Sequence, residues 1–293
     1  MDLSNPGIWF YPDDLTASET IDFALRIEAL GYSALWLPEI GGRDPFVLSA
    51  LLLAHTERLV LATGIANIYA RDPMAMRSAQ CALTEQSAGR FVLGIGVSHQ
   101  PLVEMRGHSY GPPLATMRNW LDRFDAVVYG GKPPEDAPIT LLAALGPRML
   151  ELARDRADGV HPYMVPPEHT ARARKILGPD KLVCTEQKVL LEPDAERARG
   201  IARSSPAIAQ GLMLPNYQNS LKRLGFDASD FDAGISDHVV DAVVAWGDAS
   251  AIRERVRAHY SAGASHVTLH PLPSEDLSGP DWKVLEALAP ANG

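Results

Sequence analysis

The chain has 293 residues, 46% of them hydrophobic and 22% charged, with a formal net charge of −9 at neutral pH. That composition belongs to a globular protein with a sizeable core. An acidic chain without a stripe of lysine and arginine is poorly suited to nucleic acid, whose phosphates must be met by clustered cations. The apolar stretch at 48–54 is far too short to span a bilayer. The first residues lack the basic and apolar regions of a secretory leader, so a cytoplasmic location is expected. Cys81 and Cys184 lie in apolar contexts on separate predicted elements and read as buried thiols, not as a disulfide.

Residues 7–11 (GIWFY) predict a first strand, and Pro12, Asp13 and Asp14 turn the chain. Thr16 or Ser18 caps a helix to about Leu30, with Ile21, Ala24, Leu25, Ile27 and Leu30 at helical spacing. Residues 33–38 form a second strand with Glu39 at its C-terminal end, followed by a Gly-Gly loop and a helix over 45–56. Residues 59–65 predict a third, buried strand. After a loop at 67–72, Pro73 opens a helix, because a first-turn residue needs no N–H partner. Gly89 closes that helix, and a fourth strand over 91–95 ends at Gly94, Ile95 and Gly96.

Beyond Gly96 come Ser98, His99 and Gln100, a short helix, a Gly-Pro-Pro break at 111–113 and a helix over 114–129. A Gly/Pro-rich connection leads to a fifth strand at 139–144. Gly146, Pro147 and Arg148 then open a helix ending near Ala157. A sixth strand at 159–163, a helix at 166–177 and a seventh strand at 181–191 follow, and Asp194 caps the next helix. The rhythm changes over 204–245, which reads as an insertion carrying helices at 216–224 and 237–246. A helix at 251–262 and an eighth strand at 266–271 close the pattern.

Eight strands alternating with helices predict an α/β protein, a (β/α)8 TIM barrel forming one domain over 1–293 with an insertion at about 204–245. A doubly wound open sheet is the competing architecture. In a barrel the site is built at the C-terminal strand ends. That selects Glu39, residues 63–68, 96–100 and 144–148, His161 and His270. The turn at Gly146 presents N–H groups at a helix start, a natural anion site. His161 reads equally well as a core histidine, and Glu39 as a loop carboxylate. Gly94 and Gly96 lack the third glycine and the ribose acid of a dinucleotide fingerprint. No HExxH, paired CxxC, P-loop or GxSxG pattern is present, so neither a metal site nor a nucleophilic triad is indicated. Chemistry carried by an organic cofactor fits that set best.

ALWLPE (34–39), ATGIANIYARDP (62–73), GRFVLGIGVS (89–98), AALGPRMLELARDRADGV (143–160) and AIRERVRAHYSAGASHVTLHPL (251–272) together resemble the luciferase-like monooxygenase superfamily, in its coenzyme F420-dependent oxidoreductase branch. The resemblance covers nearly the whole chain. It implies a (β/α)8 barrel, usually a homodimer, with a deazaflavin or isoalloxazine ring at the C-terminal mouth. It implies that Thr63, Gly64 and Ile65 form a bulged third-strand segment behind the ring, with a non-proline cis peptide at Gly64–Ile65. By the same match Glu39 lies beside the ring edge, and Gly96 and Val97 lie near the cofactor tail. Ala144, Leu145, Gly146 and Pro147 offer backbone to its phosphate. The superfamily's sugar-phosphate dehydrogenases carry a histidine directly after the acidic residue; here that position is Ile40, which argues against sugar-phosphate oxidation.

The expected activity is therefore hydride transfer between coenzyme F420 and a small organic substrate. Glu39, His99 and His161 are the candidates for proton transfer. An FMN-dependent monooxygenase using reduced flavin and oxygen is the alternative, and a non-catalytic carrier of flavin or deazaflavin is a third reading. Met213, Tyr217 and Trp246 of the insertion read as an apolar lid or, equally, as core or dimer contacts.

Overall fold

The computed structural model describes residues 1–232, 234–272 and 279–290. Its parallel strands are β1 (Gly7–Trp9), β2 (Ala34–Leu37), β3 (Val60–Thr63), β4 (Phe91–Gly96), β5 (Ile139–Leu142), β6 (Gly159–Val160), β7 (Leu182–Leu190) and β8 (His266–Pro271). Each pairs with the next, and β8 pairs with β7 on one side and β1 on the other, which closes a (β/α)8 barrel. Register runs Ile8 to Leu35, Leu35 to Leu61, Leu61 to Phe91 and Val92 to Ile139. Helices cover the outside and side chains fill the inside, so the strands read as apolar runs. Leu35, Leu61, Leu93 and Leu141 are fully buried.

The helices begin where capping chemistry places them. Thr16 and Glu19 form a reciprocal capping box at α1 (Ala17–Ala29). Asp44 accepts from two first-turn N–H groups of α2 (Pro45–His55), and Asp72 from one of α3 (Pro73–Gln86). Then come α4 (Gln100–Met105), α5 (Pro113–Asp125), α6 (Pro147–Arg156), α7 (Pro167–Leu177) and α8 (Ala195–Ser204), which Asp194 caps. α9 (Ala249–Ser261) starts on Asp248 and leads into β8. Among the described residues no helix is long and apolar enough to cross a membrane.

Two departures from regularity matter. After β3 the chain resumes pairing with β4 through Ala66–Asn67; Ala62 opposes Val92 and Ala66 opposes Ile95, so one residue is extra. The Gly64–Ile65 peptide inside this bulge is cis, where the sequence placed it. The second departure is in the insertion. The helix expected over 237–246 stops at Val243, and Val244–Trp246 instead extends the sheet along Lys188–Leu190 of β7. Short helices at Pro206–Ala209, Pro215–Lys222 and Ser229–Asp232 complete it. They bury Ile208, Leu221, Phe231, Val239 and Val243 against Met164 and Leu190 of the barrel. Cys81 and Cys184 are free, buried thiols.

Candidate active site

The floor of the barrel mouth is made of glycine because neighbouring strands already occupy the space a side chain would need, with backbone at Gly94 and with side chains at Gly64 and Gly96. A Cβ on Gly94 would lie 2.1 Å from the Thr63 carbonyl oxygen, and one on Gly96 would lie 2.8 Å from Ile65 Cδ1. Thr63 fixes this contact: its hydroxyl donates to the Gly94 carbonyl at 2.7 Å and accepts from the Gly94 N–H at 2.9 Å. Thr63 was expected among the ligand-facing positions. It is instead fully buried behind the bulge, with its side chain engaged by β4.

Above this floor opens a cavity of about 570 Å³. Glu39, Gly64, Ile65, Gly96, Val97 and His99 line one part of it, and Ala144, Leu145, Gly146, Pro147 and His161 another. Leu102, Leu114, Met149 and Tyr217 give it apolar walls. At the far end Gly146 caps α6 without a side chain of its own, and Arg223 from the insertion lies 3.7 Å from where its Cβ would be. Among the described residues no chain acceptor takes the N–H of Gly146 or Arg148. With the two arginines, that end suits an anion.

Glu39 does not face the cavity as a free carboxylate. It forms an ion pair with Arg71, which also holds Asp44, and accepts the Asn67 N–H at 2.8 Å. His161 is 1% exposed, and its ring stacks on Trp36 at 4.3 Å. Nδ1 lies 2.8 Å from the Cys184 carbonyl, which can only accept, so Nδ1 carries the proton and Nε2 is an acceptor. Nε2 has no partner and sits 3.3 Å from where a Gly64 Cβ would be. Burial pulls the imidazole down to about 4 despite the carbonyl contact, so it is neutral at pH 7. His99 precedes α4, with its ring 5.6 Å from Tyr217, and burial lowers its pKa as well.

Beneath the cavity lies a charged cluster. Lys188 Nζ is 3.0 Å from Glu186 Oε1, 2.9 Å from His270 Nδ1 and 2.8 Å from the Tyr163 hydroxyl. Both charged side chains are fully buried. Burial would raise the Glu186 carboxyl, but Lys188 and His270 beside it hold it at about 2. Burial lowers Lys188, with Glu186 opposing that shift. His270, placed at a strand end by the sequence, therefore belongs to this cluster and stacks under Trp9 at 4.2 Å. Of the expected lid, Tyr217 lines the cavity. Met213 does not, being 55% exposed, and Trp246 is held by its N–H to Asp241.

The family model for luciferase-like monooxygenase matches residues 5–266. The chain belongs to that family. A 5,10-methylenetetrahydromethanopterin reductase of Methanolobus tindarius is 28% identical over 257 residues, 78% of this chain and 77% of that one. A putative coenzyme F420-dependent oxidoreductase of Mycobacterium tuberculosis is 25% identical over 301 residues, 81% of this chain and 86% of that one. The structure of the oxygenating constituent of 3,6-diketocamphane monooxygenase from Pseudomonas putida, solved with FMN, superposes with a TM-score of 0.67 and covers 98% of this chain and 97% of that one, at 16% identity. The luciferase-like fold is thus shared across members of differing chemistry, and the chain is an enzyme of this family.

Among the cavity residues of this luciferase-like chain that the sequence did not single out are Trp9, Tyr163 and Arg223. Trp9 ends β1, Tyr163 follows β6 by three residues, and both look like core aromatics in sequence. Arg223 follows an insertion helix whose packing no local pattern reveals. For Tyr163 a signal did exist, because Glu186 and Lys188 alternate within a strand otherwise read as buried and must have polar partners.

Proposed function

We propose that this chain is an oxidoreductase transferring a hydride between coenzyme F420 and a small organic substrate. The observation that carries this reading is the division of one cavity. Its inner part has a glycine floor and apolar walls suited to a flat ring. Its outer part has unused N–H groups with Arg148 and Arg223, suited to a phosphate-bearing tail. The unpartnered His161 Nε2 is an acceptor waiting for a donor on the ligand. The two relatives support the reading by their names, one a reductase and one a putative F420-dependent oxidoreductase.

When bound, the deazaflavin supplies a ring carbon that gives or takes a hydride. The chain's part is placement and exclusion of water. Gly64, Ile65 and Gly96 let the backbone approach one ring face. Leu102, Leu114, Met149 and Tyr217 exclude solvent from the other side. Glu39, fixed by Arg71, holds the Asn67 turn that ends the bulge. Fluorescence titration of the purified apo-protein with coenzyme F420 and, separately, FMN tests the reading. Saturable F420 binding with little FMN affinity is expected. The reverse preference would move the activity to flavin and oxygen, and binding of neither would overturn the site.

A further inference from the structure

We infer that Tyr163 is the proton donor of this site and that the substrate is a carbonyl compound or the matching secondary alcohol. The inference rests on the hydride-transfer reading above and adds the group that completes it.

Tyr163 lines the cavity, with its ring 5.5 Å from Trp9, whose indole N–H donates to the Gly64 carbonyl at 2.8 Å. The phenol therefore stands next to the floor on which the ring is placed. Lys188 donates to its oxygen from below at 2.8 Å, and an ammonium has no lone pair to accept in return. His270 Nδ1, 3.3 Å away, is already taken up by Lys188 and Glu186 at 2.9 Å each, so the Tyr163 hydrogen is left to turn toward a ligand. Every other partner is internal. Lys188 also donates to Glu186, and the second Glu186 oxygen accepts the Met164 N–H at 2.8 Å. A buried ion pair is a costly filling for a barrel core that apolar residues could pack. Among the described residues of the cluster, Tyr163 is the one that lines the cavity.

Two of the other candidates cannot give a proton there: His161 has its one proton on Nδ1, tied to Cys184, and Glu39 is taken up by Arg71. The third, His99, stands against Tyr217 at the start of α4, and among the described residues no charged side chain backs it. A hydroxyl donor backed by an ammonium matches a substrate whose oxygen becomes negative. Hydride addition to a carbonyl carbon creates that oxygen, whereas addition to an iminium carbon needs no proton.

In the reducing direction the carbonyl carbon would receive a hydride, two electrons with a hydrogen, such as a bound reduced deazaflavin would supply; the C–O π pair would move to oxygen, and that oxygen would take the Tyr163 proton as the phenol O–H breaks. Lys188 Nζ returns a proton to the phenolate, and after product leaves water in the cavity gives a proton to the Tyr163 oxygen, which passes its own back to Nζ. Oxidation of the alcohol runs the same steps backward. Lys188 is the positioning residue: it holds the phenol oxygen and restores its proton.

Tyr163→Phe removes only the hydroxyl. Cyclohexanecarboxamide, a carbonyl compound that a hydride donor does not reduce, titrated into apo-protein by calorimetry reads the hydrogen bond without any turnover. About tenfold weaker binding in Y163F is expected for one lost hydrogen bond. Single-turnover reduction of cyclohexanone by protein loaded with reduced F420 is expected to slow by about 100-fold or more, with coenzyme affinity kept. The paired variant Glu186→Gln/Lys188→Met removes both buried charges together. It should keep amide affinity within about twofold while slowing the hydride step about tenfold; affinity and rate falling in parallel would overturn the role of Lys188. Equal amide affinity in Y163F and wild type, or equal rates, overturns the role of Tyr163. A wild type that binds coenzyme but reduces no ketone or aldehyde overturns the substrate class. Failure of the wild type to bind coenzyme would sink the reading beneath, and the amide comparison would still decide Tyr163.

Discussion

His161, His259, His266 and His270 sit where water does not solvate an imidazolium, and burial is the largest cause of their depressed pKa values. His161, His266 and His270 are held at about 4 and His259 at about 3. In the unfolded chain each titrates near 6.5. Below that pH the unfolded state binds protons that the native state refuses, so the stability present above about pH 6.5 is lost as pH falls toward 4. Each histidine contributes on the order of 3 kcal/mol across the window, and a few of them match the whole stability of a domain. Urea midpoints should fall steadily between about pH 6.5 and 4, before Glu186 protonates at all; a flat profile across that range would contradict the burial of these rings. The sequence placed His161 and His270 at strand ends but did not show their solvation, which depends on Trp36, Trp9 and Cys184 arriving from other strands. Glu39 is the same case. Its position pointed to the site, while the Arg71 that binds it lies 32 residues away.

At the scale of elements, local chemistry was readable wherever a cap or a proline decided the outcome. Thr16, Asp44, Asp72, Asp194 and Asp248 all act within a turn of where they stand. The helix predicted over 237–246 failed because Val244–Trp246 could pair with the open edge of β7, a tertiary choice that overrides local preference. The contact of β3 with β4 is equally tertiary, and it yields a sharp test. Gly94→Ala places a methyl group 2.1 Å from the Thr63 carbonyl oxygen, which is backbone and has no rotamer to change. The strands must separate, and Thr63 must lose its paired hydrogen bonds to Gly94. A destabilisation of about 3 kcal/mol or more is expected, beyond ordinary overpacking. A thermal midpoint within a degree or two of wild type would show that the strands yield more easily than this packing implies.

The barrel as a whole was legible because eight apolar runs alternate with eight helical ones, a regularity that survives errors at individual boundaries. The cavity was half legible. Strand ends named its floor, but its walls and its cationic end come from the insertion and from α4 to α6, whose docking no short pattern encodes. A cofactor bound as proposed would be gripped by the whole molecule, since it would touch the bulge after β3, the end of β4, the start of α6 and the insertion together. A ligand that binds only the folded chain stabilises it by mass action, about 2.7 kcal/mol at one hundred times its dissociation constant. For a chain of this size that corresponds to a rise in melting temperature of roughly 5 °C or more. Coenzyme F420 should produce this shift and FMN at equal concentration should not. Arg223→Ala should reduce it by removing one of the two arginines at the anion end while leaving the unliganded melting temperature nearly unchanged, because Arg223 is exposed and its side chain bonds only within its own helix, to the Asn219 carbonyl at 3.1 Å. An unchanged ligand shift in that variant would move the tail away from the Gly146 turn, and with it the direction in which the ring lies over the floor.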